Sequence, residues 1–154
     1  MAPPLHHHIM TISKYSLPQA ERINSKKQID RLFRGGGSKA MTASPLRVVY
    51  MAEGRSEDKR GPLAQMMVSV PKRYFKRAVK RNLIKRQVRE AYRLNKHILV
   101  ERLAADGRSN VSMCFIWTAD RICSMTEVAD RMSNLLQRMA ERIEHGTKTA
   151  EAAQ

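Results

Sequence analysis

The chain has 154 residues, 42% of them hydrophobic, and this favours one folded domain over a disordered chain. Its formal net charge of +15 indicates a large anionic partner, either nucleic acid or an anionic membrane. The longest apolar run, MCFIW at 113–117, falls far short of the roughly 18 residues that indicate a membrane-spanning helix.

The N-terminus lacks the charged-then-apolar order of a secretory signal. Cys114 and Cys123 have no CxxC or Cys/His ligand spacing around them, so we expect packing thiols in a reduced, cytoplasmic protein. Residues 1–16 are predicted to be a disordered tail, whose three histidines at 6–8 predict at most weak adventitious metal binding. We predict one domain over 17–146 and a frayed C-terminus over 147–154.

The first element is a predicted short helix, KKQIDRLFR, capped by Ser25 and ended by the three glycines at 35–37. Its apolar residues Ile29, Leu32 and Phe33 are spaced by three and four, so they share one face.

Strands are predicted next, near 39–43, at 46–52 and at 63–70, from β-branched, aromatic and apolar runs closed by Gly and Pro. We expect the last two to pair as a hairpin around the polar loop 53–62. A helical pattern over 74–104 ends at Asp106-Gly107, and a buried strand follows at 110–118.

The last predicted helix runs from about 125 to 145 and ends at Gly146. Ser124 and Glu127 match the capping box at its start, and its apolar stripe is Leu135, Leu136, Met139 and Ile143. The predicted order is α-β-β-β-α-β-α, an α+β domain with helices packed on a small sheet.

The densest charge lies in the helical pattern. Residues 72–96 hold eleven Lys or Arg and one acid, Glu90, a net charge of +10. At about 100° per residue, six polar residues fall in one sector about 100° wide, namely Lys85, Lys96, Arg89, Asn82, Arg93 and Arg86. A second sector holds Ile84, Val88, Ala91 and Tyr92 and is expected to face the core.

A solvated charge face is the simplest alternative, because Lys and Arg form helices well and most surface charge has no specific partner. Such a face usually mixes Glu with Lys at spacing four. Here Arg77, Arg81, Lys85, Arg89 and Arg93 repeat at spacing four with no acid between them in that row. We therefore interpret the face as a binding surface for a polyanion, with Arg favoured because its planar fork suits phosphate.

The same residues resemble the signature of the bacterial ribonuclease P protein family, K-x-A-V-x-R-N-x-x-K-R-x-x-R-E. It stands here as Lys76, Ala78, Val79, Arg81, Asn82, Lys85, Arg86, Arg89 and Glu90. VSVPKRYFK before it and ERINSKKQIDRLFRGG near the N-terminus are similar to flanking parts of the family, and the likeness extends from about 16 to 143.

The resemblance implies a four-stranded sheet with a left-handed crossover through the basic helix, against the usual right-handed rule. It also implies a protein subunit, monomeric in the complex, that binds ribonuclease P RNA and precursor tRNA while the RNA performs cleavage with Mg²⁺. No catalytic or metal-ligating residue and no protein-bound cofactor is expected. The RNA-binding residues are then expected to be Lys72, Arg73, Lys76, Arg77, Lys80, Arg81, Asn82, Lys85, Arg86, Arg89 and Arg93.

A cleft for the single-stranded 5′ leader is also implied, at Ile29 and Phe33 of the first helix. The family commonly has Phe at both positions, and Ile29 cannot stack on a base as an aromatic ring does. Tyr50, on the strand at 46–52, is the predicted further stacking platform.

Three other functions fit the charge. A ribosomal or RNA-assembly protein would bind RNA without aiding cleavage. An autonomous nuclease would need gathered carboxylates for metal ions, but the 14 acids are scattered. A membrane-surface protein would need more apolar aromatics on the basic helix than Phe75 and Tyr92.

Overall fold

The computed structural model describes residues 16–56 and 61–152, with side chains described as far as Gly146. A short 3-10 turn at Gln19–Glu21 precedes the main elements. In chain order these are α1 (Lys26–Arg34), β1 (Lys39–Ala43), β2 (Leu46–Gly54), β3 (Ala64–Ser69), α2 (Ala78–Asn95), α3 (His97–Asp106), β4 (Ser109–Trp117) and α4 (Met125–Ala152).

The strands form one four-stranded sheet in the order β1-β2-β4-β3, which confirms the predicted α+β class. The predicted hairpin between β2 and β3 is wrong, because β4 lies between them, antiparallel to β2 and parallel to β3. Met113, Cys114 and Phe115 of β4 are fully buried, so this strand is apolar toward both faces and takes a central position. The hairpin that does form joins β1 to β2.

The parallel pair β3 and β4 is connected through α2 and α3. The single helix predicted over 74–104 is wrong at its start and in its middle, whereas the predicted break at Asp106-Gly107 is confirmed, because α3 ends at Asp106 with Gly107 as its C-cap. The helical segment begins only at Ala78, because Arg77 is extended and a turn follows Pro71. It breaks at Lys96, where the Asn95 amide donates to the Ala91 carbonyl at 2.8 Å. The handedness of this crossover stays a prediction.

One face of the sheet carries the main core. Side chains such as Tyr50, Met66 and Phe115 point to it, and α2 and α4 cover it. All four stripe residues predicted for the last helix are buried here. Half of the predicted capping box is confirmed, since the Glu127 backbone N–H donates to the Ser124 hydroxyl at 3.2 Å, whereas the Glu127 carboxylate pairs with Arg121.

The opposite face of the sheet is covered in part by α1. Leu32 is buried there with Met51 and Cys114. The Gln28 amide donates to Gln65 Oε1 at 2.6 Å and to the Ser112 hydroxyl at 3.0 Å, which fixes the helix across β3 and β4. Ser25 accepts the Gln28 backbone N–H at 3.4 Å and so caps α1 as predicted.

The C-terminal helix does not end at Gly146 as predicted but continues to Ala152. One glycine costs a helix about 1 kcal/mol relative to alanine, too little to stop a helix of 28 residues. Fraying of 147–154 stays a prediction. The tail over 1–15, with its three histidines, lies outside the described residues.

Candidate nucleic-acid interface

The basic segment sits on α2 and on the turn before it, and α2 separates an apolar face from a charged one as predicted. Ile84, Val88, Ala91 and Tyr92 are fully buried against the sheet and α4. The burial of this apolar face holds the helix in place, so the rest of its surface is presented in a fixed direction.

We call the outward-facing cations of this region the cationic ridge. Its members are exposed or half-buried, and none forms an ion pair with an acid in the part of the chain that the structure describes. They are Lys72, Arg73, Lys76, Arg77, Lys80, Lys85, Arg86 and Arg89. Asn82 is exposed among them and adds an amide that both donates and accepts hydrogen bonds.

Arg81 was predicted to belong with these residues, but its contacts are structural as well. Its Nη1 donates to the carbonyls of Phe75 and Lys76, at 2.8 and 2.7 Å. These bonds fasten the turn before α2 to the first turn of the helix. Arg81 therefore orients the Lys76–Arg77 part of the ridge, and any RNA contact must use its remaining N–H groups.

The C-terminal end of the predicted sector is paired internally. Arg93 forms a two-pronged ion pair with Glu90, at 3.0 and 2.5 Å, and this pair lowers the pKa of Glu90 and raises that of Arg93. Lys96 is only 5% exposed, and its ammonium contacts Glu21 Oε1 at 2.8 Å and the Ser16 carbonyl. Lys96 is therefore excluded from the charged face where the helical angle placed it.

Arg22 is a residue that the sequence did not single out. Its backbone bridges to Met66, and Ile23 N–H donates to the Met66 carbonyl at 2.9 Å. These contacts dock the chain before α1 along β3. Arg22 there helps line a hollow of about 460 Å³ with Leu17, Arg86, Arg89, Glu90 and Arg93. An isolated arginine 64 positions from Arg86 carries no sequence signal, because only the tertiary contact brings the two together.

The open part of the other sheet face holds the predicted leader-cleft residues on α1. Ile29 is half-buried and Phe33 is 47% exposed. Val49, Met67 and Ile116 are partly buried on the same face and pack around the Leu32 cluster. Together they form an apolar surface with one exposed aromatic ring.

Tyr50 is not part of this surface, so its predicted place in the cleft is wrong. Side chains alternate along a strand, so Tyr50 shares its face with Leu46 and Val48, whereas Val49 and Met51 face α1. Tyr50 is 2% exposed in the main core. The alternation of side chains along the strand predicts that Val49, not Tyr50, faces α1. Only the aromatic character of Tyr50 favoured its place in the cleft.

Other kinds of site find little support in the described residues. No group of three or more His, Cys, Asp or Glu among them could hold a metal ion. Both cysteines are buried and free, and burial raises the pKa of Cys114 to about 12, so its thiol stays protonated. No helix in the described ranges is long and apolar enough to cross a membrane.

Comparison with known proteins is consistent across sequence and structure. Residues 17–140 match the family model described as Ribonuclease P. A ribonuclease P protein component from Porphyromonas gingivalis is 37% identical over 84% of this chain and 90% of its own length. Another, from Chlorobaculum tepidum, is 33% identical over 86% of this chain and 91% of its own.

Two solved structures share the fold. The ribonuclease P protein of Thermotoga maritima has a TM-score of 0.56 at 19% identity, over 77% of this chain and 96% of that one. A Staphylococcus aureus ribonuclease P protein mutant, described as defective in mRNA degradation, has a TM-score of 0.56 at 16% identity, over 89% and 98%.

Proposed function

The chain belongs to the ribonuclease P protein family, and on that premise we propose that it binds the RNA subunit through the cationic ridge and precursor tRNA through its leader cleft. The single observation that carries this proposal is the ridge itself. Eight exposed or half-buried cations lie together and form no ion pair with an acid among the described residues. Repulsion within such a cluster is relieved when a polyanion binds.

The ridge suits the backbone of folded RNA. Arginine forks donate paired hydrogen bonds to phosphate oxygens, and lysines add mobile point charges. Arg81 fixes the turn that presents Lys76 and Arg77, so these cations meet RNA in one orientation. Contacts of this kind set position and affinity, while Asn82 can reach a sugar or a base edge.

The leader cleft differs in chemistry from the ridge. Phe33 supplies an exposed ring on which a base can stack, and Ile29 supplies apolar contact only. Val49, Met67 and Ile116 form an apolar floor beside them. We expect a single-stranded leader to be held here by stacking and apolar contact, with little sequence preference.

We assign the cleavage chemistry to the RNA subunit, which uses Mg²⁺, and we assign no catalytic residue to this chain. A metal-dependent nuclease gathers carboxylates around its ions, and the described residues form no such group. The contribution of the protein is then electrostatic. By neutralising phosphates it lets the substrate and divalent ions approach the RNA active site at moderate salt. We expect it to act as a monomer in the complex, in the cytoplasm.

Reconstitution tests this proposal directly. The protein is added to a bacterial ribonuclease P RNA with precursor tRNA at moderate Mg²⁺ and salt, and 5′-end cleavage is measured. We expect a clear gain in cleavage, no cleavage by protein without RNA, and loss of the gain in an Arg86→Gln, Arg89→Gln variant. A matched variant, Arg121→Gln, removes an arginine that is not a member of the ridge and is paired with Glu127, and it should keep the gain.

Binding without any gain in cleavage would instead support a ribosomal or RNA-assembly role. Cleavage by protein alone would support an autonomous nuclease. Either result would overturn the proposal.

A further inference from the structure

A second basic site lies at the other end of the sheet. The ridge begins in the turn after β3, next to the end of β4, whereas a pocket of about 320 Å³ lies where β4 begins and β2 ends. Strands β1, β2 and β4 and the C-terminal part of α4 form its walls. Its polar or charged lining side chains are Lys39, Tyr50, Arg108, Ser109 and Arg142.

Tyr50 gives this pocket an unusual feature. Its side chain is 2% exposed, and its hydroxyl is buried without a hydrogen-bond partner of good geometry among the described residues. A buried hydroxyl without a partner destabilises the folded state, so such groups are rare in native proteins. Burial raises the pKa of Tyr50 more than the neighbouring Arg142 guanidinium lowers it, so the phenol keeps its proton to donate.

The neighbours of the Tyr50 hydroxyl are hydrogen-bond donors, so the group that it lacks is an acceptor. Lysine and arginine side chains donate hydrogen bonds and cannot accept them. Lys39 of β1 lies directly opposite Tyr50 of β2 in the sheet. Arg142, on α4, lies beside the Tyr50 hydroxyl. No acid is among the described residues that line this pocket. Glu141 lines the adjoining hollow, to which Lys39 and Arg142 also contribute. A group that accepts several hydrogen bonds and carries negative charge would satisfy the hydroxyl and both cations.

We propose that this pocket binds a phosphate group that carries a nucleoside, held by the Tyr50 hydroxyl, Lys39 and Arg142. The volume exceeds what a lone phosphate fills, and the apolar atoms of Ala52 and Ile143 offer contact for a sugar or base. The ligand is either a free nucleotide or a phosphodiester of RNA. The inference stands on the pocket alone and does not depend on the ridge or on the proposed function.

The test follows backbone amides by two-dimensional NMR as the intact protein is titrated. The probes are inorganic phosphate, adenosine 5′-monophosphate and a short single-stranded RNA. Amides of pocket residues such as Gly37, Ala52 and Ser109 report on this site separately from amides of α2. We expect saturable shifts at the pocket, and an Arg86→Gln, Arg89→Gln variant should keep them, which separates this site from the ridge.

Two variants test the named groups. Tyr50→Phe removes only the hydroxyl, and Arg142→Gln removes a cation. A hydrogen bond to a charged group corresponds to roughly tenfold or more in affinity, so each variant should weaken pocket binding by at least about tenfold. Tyr50→Phe should fold about as stably as the parent, because the hydroxyl makes no well-formed hydrogen bond among the described residues. Arg131→Gln, an exposed arginine earlier on α4, is the matched control and should bind normally.

The probes also separate the two sources. Shifts with adenosine monophosphate indicate a free nucleotide, and shifts with RNA alone indicate the RNA backbone. The proposal is overturned if no probe shifts the pocket amides, or if folded Tyr50→Phe binds each probe as tightly as the parent does. The Tyr50 hydroxyl would then donate its hydrogen bond to water and not to a ligand.

Discussion

The two ends of the basic segment use the same residue types for opposite purposes. From Lys72 to Arg89 the outward-facing cations of the ridge have no acid partner among the described residues, whereas Arg93 and Lys96 are bound to Glu90 and Glu21. A count of lysines and arginines treats both ends alike. The number of charges that can meet RNA is therefore smaller than the sequence suggests, and the difference is set by where two acids lie.

The two ends also differ in what they do for the fold. Free cations on one helix repel each other and weaken the folded state slightly. Lys96, in contrast, joins the N-terminal segment to the break between α2 and α3 through Glu21 and the Ser16 carbonyl. The ridge should matter for RNA affinity and little for stability, and the paired end should show the reverse.

The largest effect is expected for Lys96→Met. It leaves the Glu21 carboxylate, only 18% exposed, without its cation, and breaking a buried ion pair typically costs 3–5 kcal/mol. We expect the free energy of unfolding to fall by about 3 kcal/mol in urea titrations, since Glu21 can still turn toward water. Lys80→Met, at an exposed ridge position, is the matched control and should change it by less than about 0.5 kcal/mol. Equal losses of unfolding free energy in the two variants would contradict the claim that the paired end of the basic segment stabilises the fold more than the ridge does.

Phe33→Ala sharpens the comparison from outside the charged region. Loss of a stacking ring should weaken binding of precursor tRNA by about 1–3 kcal/mol, with little change for mature tRNA, which has no leader. Because this contact is not ionic, the loss should be the same at low and high salt. Ile122→Ala, another exposed apolar position, is the control and should leave both substrates unchanged. Equal weakening of both substrates by Phe33→Ala would contradict leader contact.

Glu90→Gln should give the smallest effects, with opposite signs for RNA affinity and for stability. It releases Arg93 from its ion pair, so RNA affinity should rise a few-fold while the free energy of unfolding falls by about 0.2–0.5 kcal/mol, as for other exposed helix pairs. The hydrogen bond from Arg93 lowers the folded-state pKa of Glu90. Its stabilisation is therefore present above the unfolded-state pKa, and the difference between variant and parent should vanish as pH falls through the folded-state pKa. An RNA affinity that stays the same or falls would show that Arg93 is not held back by Glu90.

Local signals in the sequence predicted most of the elements and the position of the ridge. Helical spacing placed Ile84 and Val88 in the core, and the capping residues Ser25 and Ser124 marked two helix starts. These features depend on neighbours within one or two helical turns, where spacing alone determines which side chains meet.

Most of the features that the sequence did not predict depend on distant contacts. Strand β4 separates β2 from β3, although β2 and β3 are consecutive in the chain. Glu21 neutralises Lys96 across 75 positions, and Arg22 reaches the ridge only because its segment docks on β3. Tyr50 is an exception, because the strand alternation is a local signal that places it on the core face, and only its aromatic character favours the cleft.

The salt dependence of RNA affinity tests the central claim most directly. Binding of the parent protein to ribonuclease P RNA is measured across a series of salt concentrations, beside a Lys85→Gln, Arg86→Gln, Arg89→Gln variant and the Arg121→Gln control. In a plot of the logarithm of the binding constant against the logarithm of the salt concentration, each phosphate contact that is lost makes the negative slope shallower by roughly 0.7–0.9. If the ridge binds phosphates, the slope of the triple variant should be shallower than that of the parent by about 2 to 3. The control should match the parent, and a triple variant with the parent's slope would contradict the account.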